Sequence, residues 1–354
     1  MACVPNGTAA LAIARSSSCP VSHWLDELAP TLFSDSNLAS STALFNVGAN
    51  KGYAVAVMLA RLGLLRGDAS SWHDALVTEV AKTAPRLNES RCTRTSRCPF
   101  TCGVCGACKE APPPRLAVTN VTQQRLHVHA FEMQPVNAAW LRTASSLFAP
   151  AGAVRVVHGV VSSRDGEACV EASQMAAAVP GVEQARSHRP PLNASLVRQS
   201  FPPELLASLV RHGCVKVPSI RLDSYMAAHS IERVAFVTID AEGHDALVLD
   251  GLREALSRGA VDVIEFEYHH VGMWAHTKGG RSLRATLRDL YVYGYACFWQ
   301  ASDHGRASCE LAPASAMCWD ERFEIRAWSN LVCARGTRDT WPQSVLWKIA
   351  QRCA

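Results

Sequence analysis

The amino-acid sequence predicts a doubly wound α/β fold, in which helices cover both faces of a mostly parallel β-sheet. Strand-like and helix-like segments alternate along most of the 354 residues, which is the pattern of successive βα units. Residues 233–240 form an almost continuous apolar run, as expected for a central parallel strand. A turn that contains Gly48 and Gly52 connects a predicted strand to a predicted helix.

The first half of the predicted sheet contains three strands separated by helices. Apolar runs define the strands, and spacing near 3.6 residues defines the helices. In chain order these elements are strand 42–47, helix 53–65, strand 127–132, helix 136–148 and strand 154–161. Two stretches without clear periodicity, about 66–125 and about 164–215, are predicted to be irregular insertions.

The second half continues the alternation after the second insertion. Its predicted elements are strand 219–223, strand 233–240, helix 246–256, strand 261–268, helix 283–293, and strands 295–300 and 325–334. We expect most of these strands to form a mostly parallel sheet of seven strands, in a domain over residues 42–335. Residues 1–41 are predicted to be an N-terminal extension, and residues 336–354 a C-terminal tail.

Composition and charge exclude several classes of protein. Hydrophobic residues make up 48% of the chain and charged residues 19%, so a sizeable buried core is expected. The net charge of +4 is too small to predict binding to nucleic acid. No apolar run approaches the ~20 residues needed to span a bilayer. The sequence indicates no oligomeric state.

Cysteines and glycosylation sequons give conflicting indications of compartment. Five of the 14 cysteines lie between Cys92 and Cys108. Four asparagines begin an N-x-[ST] sequon, namely Asn6, Asn88, Asn120 and Asn193. Both features are typical of the secretory lumen or the extracellular space. The N-terminus lacks the apolar core of a signal peptide, which instead indicates the cytoplasm.

The segment FNVGANKG, residues 45–52, predicts a ligand-binding loop between the first strand and the first helix of the sheet. Gly48 can adopt a positive φ and permits close approach to the backbone, and the helix N-terminus carries free N–H groups. The spacing is G-x-x-x-G, with Asn50 where a dinucleotide loop has its second glycine. This spacing disfavours a nicotinamide dinucleotide. The alternative is an ordinary tight turn.

Acidic residues follow or end three of the predicted strands, where ligands of doubly wound sheets bind. Glu132 ends the second strand, and an acid at this position can accept both ribose hydroxyls of a nucleoside. Asp240 and Glu242 follow the apolar strand. The next strand ends with Glu267, His269 and His270. Helix capping, solvation and local hydrogen bonding are the alternative roles for these residues.

Together, these motifs resemble those of the FkbM family of methyltransferases. The similarity extends over about residues 42–335 and is interrupted by the two insertions. Its segments are FNVGANKG (45–52), VHAFEMQPVNAAWLR (128–142), RLDSYMAAHSIERVAFVTIDAEGHDALVLDGL (221–252), VIEFEYH (263–269), GYACFW (294–299) and WSNLVCA (328–334). The resemblance implies a class I methyltransferase fold, S-adenosylmethionine as the cofactor, and O-methylation as the typical reaction.

The resemblance also implies roles for individual residues. It assigns cofactor binding to the loop around Gly48, ribose binding to Glu132, and a position beside the methyl group to Asp240 and Glu242. Asn46 stands where the family often has aspartate, so a carboxylate is lost there. The predicted cofactor-binding residues are Asn46, Gly48, Ala49, Asn50, Gly52, Glu132, Ser162 and Asp240.

The predicted reaction is methyl transfer to a hydroxyl group of a sugar, a lipid or a small natural product, so the expected partner is a small-molecule or glycan acceptor. The protein must align the acceptor oxygen with the S–CH3 bond and remove its proton. Asp240 is the predicted base, with Glu242, His244 and Glu267 as alternatives. Two other functions stay open: a non-catalytic adaptor that binds the cofactor, and a nicotinamide-dependent oxidoreductase.

The cysteine cluster allows three interpretations. C-x2-C-x2-C spacing within Cys92–Cys108 could hold zinc or an iron–sulfur cluster through thiolates. CPFTCGVC, residues 98–105, resembles the end of the ShK-type disulfide module. A disordered loop with incidental cysteines is the third interpretation. Disulfides are the prediction we prefer, and no metal site is assigned.

Overall fold

The protein is built around an eight-stranded sheet, seen in a computed structural model that describes residues 23–34, 42–50, 52–67, 71–72, 74–76, 78, 125–171, 214–268, 274, 281–301, 310–324 and 329–352. Within these ranges the predicted doubly wound α/β fold is confirmed. The strands are β1 (Thr42–Val47), β2 (Leu126–Glu132), β3 (Val154–His158), β4 (Val160–Val161), β5 (Gly166–Glu171), β6 (Cys214–Ile220), β7 (Val234–Ile239), β8 (Val261–Tyr268), β9 (Tyr295–Gln300), β10 (Leu311–Ala314) and β11 (Ser329–Arg335).

The order of strands in the main sheet is β10-β9-β11-β8-β7-β1-β2-β3. Five neighbouring strands are parallel, namely β8, β7, β1, β2 and β3. Strand β11 is antiparallel to both of its neighbours, and β10 is antiparallel to β9. The chain proceeds from β1 outward to β3 and later resumes on the other side of β1 with β7. The order therefore reverses between β1 and β7, and such a switch point is where doubly wound sheets bind ligands.

Helices cover both faces of the sheet. They are α1 (His23–Leu32), α2 (Tyr53–Arg61), α3 (Pro135–Phe148), α4 (Leu222–Ala228), α5 (Asp245–Gly251), α6 (Arg253–Ser257), α7 (Leu283–Val292) and α8 (Gln343–Gln351). Side chains alternate between two buried clusters because successive residues of a strand point to opposite faces. Leu44 of β1 packs in the cluster that contains residues of α1, α2 and α8, and Phe45 packs in the cluster of α4, α5 and α7.

Several elements differ from the predicted ones. The strand expected at 154–161 is divided into β3 and β4, which belong to different sheets, and β5 lies in the stretch expected to be irregular. The sheet has eight strands rather than seven because β10 adds to its edge; that strand has only four residues and contains Pro313, which hides it from a sequence pattern. The strand expected at 219–223 is β6, which lies mostly before that range and belongs to a second sheet. The helix expected at 246–256 is divided into α5 and α6.

Asp223 explains the division between α5 and α6. Its buried carboxylate accepts hydrogen bonds from the backbone N–H groups of Glu254 (3.0 Å) and Ala255 (2.8 Å). These are donors of the first turn of α6, which have no partner within the helix itself. A side chain 31 residues earlier therefore caps α6 and fixes where it begins.

A small sheet of order β4-β6-β5 lies partly within the second predicted insertion, which contains β5 and the start of β6. The pairing of β5 with β6 is antiparallel, and Cys169 of β5 forms a disulfide with Cys214 of β6. A second disulfide joins Cys297 of β9 to Cys333 of β11, which are register partners. Disulfides persist in oxidising compartments, so these two support the secretory alternative, which stays a prediction.

Several predictions concern parts of the chain that the structure does not describe. The cluster Cys92–Cys108 and the four sequons lie outside the described residues. Among the residues that are described, no group of His, Cys, Asp and Glu side chains could hold a metal ion. In the same part of the chain, no helix combines the length and the apolar character that crossing a membrane requires.

His129 is a buried histidine on the α4 side of the sheet. Its Nδ1 atom lies 2.8 Å from the hydroxyl of Tyr225, and its ring packs edge-on against Phe45. Burial, assisted by the charge of Arg155, lowers the pKa of His129 from 6.5 to about 4. The neutral imidazole is therefore the form that the fold accommodates.

This depressed pKa predicts a loss of stability in mild acid. The unfolded chain takes up a proton at His129 below about pH 6.5, whereas the folded chain does so only near the lowered value, so stability is full above that range and falls as the pH decreases. We expect His129 to remove about 2 kcal/mol of unfolding free energy between about pH 7.5 and about pH 5. Denaturant titrations at both values, with His129→Phe, should show that this part of the loss disappears.

The matched control is His127→Gln, two residues away on the same strand. His127 is partly exposed, and its replacement should leave most of the pH dependence in place. An identical pH dependence in the wild type and in His129→Phe would show that His129 does not titrate as proposed.

Candidate active site

The carboxyl ends of β2, β1 and β7 are held together by their backbones. The N–H groups of Gly48 and Ala49 both donate to the carbonyl of Phe131, at 3.0 and 2.9 Å. On the other side of β1, the N–H of Asp240 donates to the carbonyl of Val47 at 3.0 Å. The loop after β1 therefore lies between the ends of its two neighbours, at the point where the strand order reverses.

The two glycines of the loop have different structural roles. Gly48 has a φ of 79°, and a Cβ atom there would collide with the backbone carbonyl of Asp240. Gly52 has a φ of 82° and immediately precedes α2, and its missing side chain makes room for Leu141 and Trp72. The sequence predicted that Gly48 makes room for a ligand. The structure adds that it makes room for the strand end that carries Asp240.

Asn50 and Glu132 are joined in a network that shapes this loop. Asn50 adopts a left-handed conformation with φ of 49°, and its N–H donates to Glu132 Oε2 at 2.7 Å. The other oxygen, Oε1, accepts the N–H of Gln134 at 2.8 Å. The side chain of Asn137 donates to Asn50 Oδ1 at 3.1 Å. Glu132 thus supports the loop through both of its carboxylate oxygens.

Two buried amide oxygens near the loop accept no hydrogen bond from any residue that the structure describes. They are Oδ1 of Asn46 and Oδ1 of Asn137. The Nδ2 group of Asn46 donates to Thr238 Oγ1 at 2.5 Å. A buried acceptor that receives no hydrogen bond costs stability, so such atoms often mark where a ligand supplies the donor.

Asp240 and Glu242 lie in the turn between β7 and α5, and both side chains are exposed. Glu242 and Gly243 both adopt positive φ, at 52° and 90°, which reverses the chain direction in two residues. Sequence reasoning missed Asp245, which is 0% exposed and accepts the N–H groups of Gly243 and Glu267, each at 3.2 Å. Its carboxylate ties this turn to the end of β8.

The remaining predicted residues lie around this edge. Glu267 is buried at the end of β8 and is joined through its backbone to Asp245. His244 is partly buried and directly precedes α5. Ser162 follows β4, its N–H donates to Ile220, and its carbonyl packs against Gly251. These contacts give Ser162 a packing role, and its contact with the cofactor stays a prediction. His269 and His270 lie outside the described residues.

Comparison with known families identifies the chain. Residues 104–295, more than half of its length, match the family model described as "Methyltransferase FkbM domain". The chain belongs to the FkbM methyltransferase family. A search of curated proteins gave no match. The predicted membership is confirmed, and the strand order fits the class I methyltransferase fold expected of FkbM proteins.

The match to the FkbM domain covers only part of the candidate site. Glu132, Asp240, Glu242 and Glu267 lie within it, whereas the loop around Gly48 precedes it. The structure connects the two parts, because the loop is hydrogen-bonded to the strands that carry Glu132 and Asp240.

Two residues of the FkbM-like motif LD…VL-x-G have structural roles in this chain. Asp223 caps α6, as described above. At Gly251 a Cβ atom would collide with the carbonyl of Ser162, so a glycine is needed there for α5 to pack against the end of β4. In this chain, these two residues of the motif therefore position helices α5 and α6.

Proposed function

We propose that this FkbM protein is an S-adenosylmethionine-dependent methyltransferase that methylates a hydroxyl oxygen of a sugar, a lipid or a small natural product. One observation carries the proposal: the loop of Gly48, the carboxylate of Glu132 and the turn of Asp240 lie side by side at the switch point of the sheet. A nucleoside bound there would have its ribose beside Glu132 and its reactive end toward Asp240.

The donor and acceptor chemistry of this edge supports a cationic nucleoside. Glu132, Asp240 and Glu242 are carboxylates, and Asn46 and Asn137 each have a buried amide oxygen that accepts no hydrogen bond from a described residue. S-adenosylmethionine has a positive charge on sulfur, an ammonium group and ribose hydroxyls, which suit these acceptors. The pyrophosphate of a nicotinamide dinucleotide would be repelled, so the oxidoreductase alternative is disfavoured.

Bound S-adenosylmethionine supplies a methyl group already activated by its sulfonium. The protein's own task is to hold the acceptor hydroxyl in line and to accept its proton. We assign that proton to Asp240, which is exposed at the end of a rigid central strand. Glu242, His244 and Glu267 are the alternatives in the same region. A small-molecule or glycan acceptor would approach from this open side.

Binding of S-adenosylhomocysteine to Glu132→Ala tests the cofactor site. Glu132 is proposed to accept ribose hydroxyls and also holds Asn50 in its left-handed conformation, so its loss should weaken binding by roughly 1–3 kcal/mol. Isothermal titration calorimetry measures the difference. Glu167→Ala, which removes an exposed glutamate of β5, is the control and should bind like the wild type.

Three results would contradict parts of the proposal. Unchanged affinity in Glu132→Ala would remove Glu132 from the site. Tighter binding of a nicotinamide dinucleotide than of S-adenosylhomocysteine would overturn the methyltransferase assignment. Cofactor binding without methylation of any component of an extract from the source cell, supplied with methyl-labelled cofactor, would favour the non-catalytic adaptor.

A further inference from the structure

Each of the three central strands contains a single partly exposed residue. These residues are Asn46 in β1, Thr238 in β7 and Glu265 in β8, and every other residue of these strands is buried. They are register partners, since Asn46 pairs with Thr238 and Thr238 pairs with Glu265. They form one continuous row across the sheet, which we call the polar row.

The polar row lies on the face of the sheet that α1 and α2 cover, close to the strand ends that carry the candidate active site. Residues two positions apart in a strand point to the same face. Two positions before the row are Leu44, Phe236 and Val263, which pack in the cluster that contains residues of α1 and α2. Two positions after it are Gly48, Asp240 and Glu267. The row is therefore the inner end of the candidate site on the α1 and α2 side.

Glu265, the charged member of the polar row, is held by a chain of hydrogen bonds from two uncharged side chains. Trp24 of α1 donates its indole N–H to Gln300 Oε1 at 2.9 Å. Gln300 in turn donates its Nε2 group to Glu265 Oε1 at 2.8 Å. Trp24 and Gln300 are both 0% exposed, whereas Glu265 is partly exposed. This chain orients the carboxylate through two uncharged groups, the indole of Trp24 and the amide of Gln300.

The other two members add acceptor capacity. Asn46 donates Nδ2 to Thr238, while its Oδ1 is buried and accepts no hydrogen bond from a described residue. Adjacent strands are about 4.8 Å apart, so a group lying over Thr238 is within reach of both Asn46 and Glu265. One carboxylate and one amide oxygen on either side of Thr238 suit a small cation with several N–H donors.

We infer that the polar row binds the ammonium group of the amino-acid moiety of S-adenosylmethionine, with Glu265 as the carboxylate that receives it. The inference rests on the proposed function, because it assigns one end of the same ligand. Glu132 would hold the ribose on one side of the loop, and Glu265 the ammonium on the other side of β1. Glu265 is thereby assigned a role in binding that the sequence motifs did not indicate.

Two ligands that differ in the amino-acid moiety test the assignment. S-adenosylhomocysteine carries the ammonium group, whereas 5′-methylthioadenosine lacks the whole amino-acid moiety and keeps the nucleoside. Glu265→Gln should weaken binding of S-adenosylhomocysteine by about 10- to 100-fold, which is the range for a hydrogen bond to a charged group. Its affinity for 5′-methylthioadenosine should stay within about twofold of the wild-type value.

Two further variants separate binding from folding. Glu232→Gln changes an exposed glutamate just before β7, at the opposite end of the strands, and should bind both ligands like the wild type. Gln300→Leu keeps the charge of Glu265 but removes the group that orients it, and should give a smaller selective loss for S-adenosylhomocysteine. The melting temperature of each variant, measured without ligand, identifies any loss that comes from unfolding.

The outcomes are distinguishable. Equal weakening of both ligands in a folded Glu265→Gln protein, or no weakening of either, would overturn the assignment of Glu265. A wild-type protein that binds S-adenosylhomocysteine no better than 5′-methylthioadenosine would do so too, because its amino-acid moiety would then contribute nothing. A wild-type protein that binds neither ligand would contradict the proposed function itself, and this inference with it.

Discussion

Gly48→Ala should abolish binding of S-adenosylhomocysteine and lower the unfolding free energy by about 3 kcal/mol or more. Two costs combine at this position. The φ of 79° disfavours any residue with a Cβ atom, and that atom would collide with the carbonyl of Asp240. The carbonyl belongs to the residue directly after β7, whose N–H is hydrogen-bonded to Val47 of β1, so a shift of this carbonyl would strain that contact. Calorimetry and denaturant titration measure the two effects.

Gly152→Ala is a matched control for this prediction. Gly152 has a φ of 80°, nearly the same as Gly48, and a Cβ atom there would meet nothing within 4 Å. Its replacement therefore carries the conformational cost alone, about 1–2 kcal/mol, and should leave binding intact. Equal destabilisation by the two substitutions would show that contact with Asp240 is unimportant. Full ligand binding by Gly48→Ala would remove the loop from the cofactor site.

Asp240→Asn should lower the rate of methyl transfer by about 10²–10⁴-fold while changing cofactor affinity much less. The amide keeps the size of the side chain but cannot accept a proton from the acceptor hydroxyl. Turnover is measured with methyl-labelled S-adenosylmethionine and whichever component of the source extract becomes labelled. Calorimetry with S-adenosylhomocysteine checks that the cofactor site is preserved.

A series of single substitutions distinguishes Asp240 from the alternative bases. Glu242→Gln, His244→Gln and Glu267→Gln each remove one alternative at the same edge of the sheet. The variant with the largest loss of rate and the smallest change in affinity identifies the base. An unchanged rate in Asp240→Asn would limit Asp240 to a structural role, and the same result in all four variants would favour a mechanism without a protein base.

Asp245 is an acidic residue of this site with a structural role, in contrast to the carboxylates proposed to act in catalysis. Its carboxylate lies within the protein and joins the turn after β7 to the end of β8. In the sequence it directly follows His244 among other polar residues, and no pattern distinguished it from them. An acidic residue in the first turn of a helix is common, so only its 0% exposure reveals its role.

The fold class, most of the strands and helices, and the family could all be predicted from the amino-acid sequence alone. Apolar runs such as 42–47 and 295–300 coincide with β1 and β9 because buried parallel or central strands need continuous apolar side chains. The loop at 48–52 and the acids at the strand ends were recognisable because turn and ligand chemistry depend on local residue type. These features are encoded within a few adjacent residues.

Interactions between residues far apart in the chain could be recognised only in the folded protein. Asp223 caps a helix that begins 30 residues later, Gly48 makes room for Asp240, and Trp24 orients Glu265 through Gln300. The polar row exists only because the registers of β1, β7 and β8 bring three strand positions into line. Register is fixed by packing of the whole sheet, so no local pattern in the sequence could have revealed that alignment.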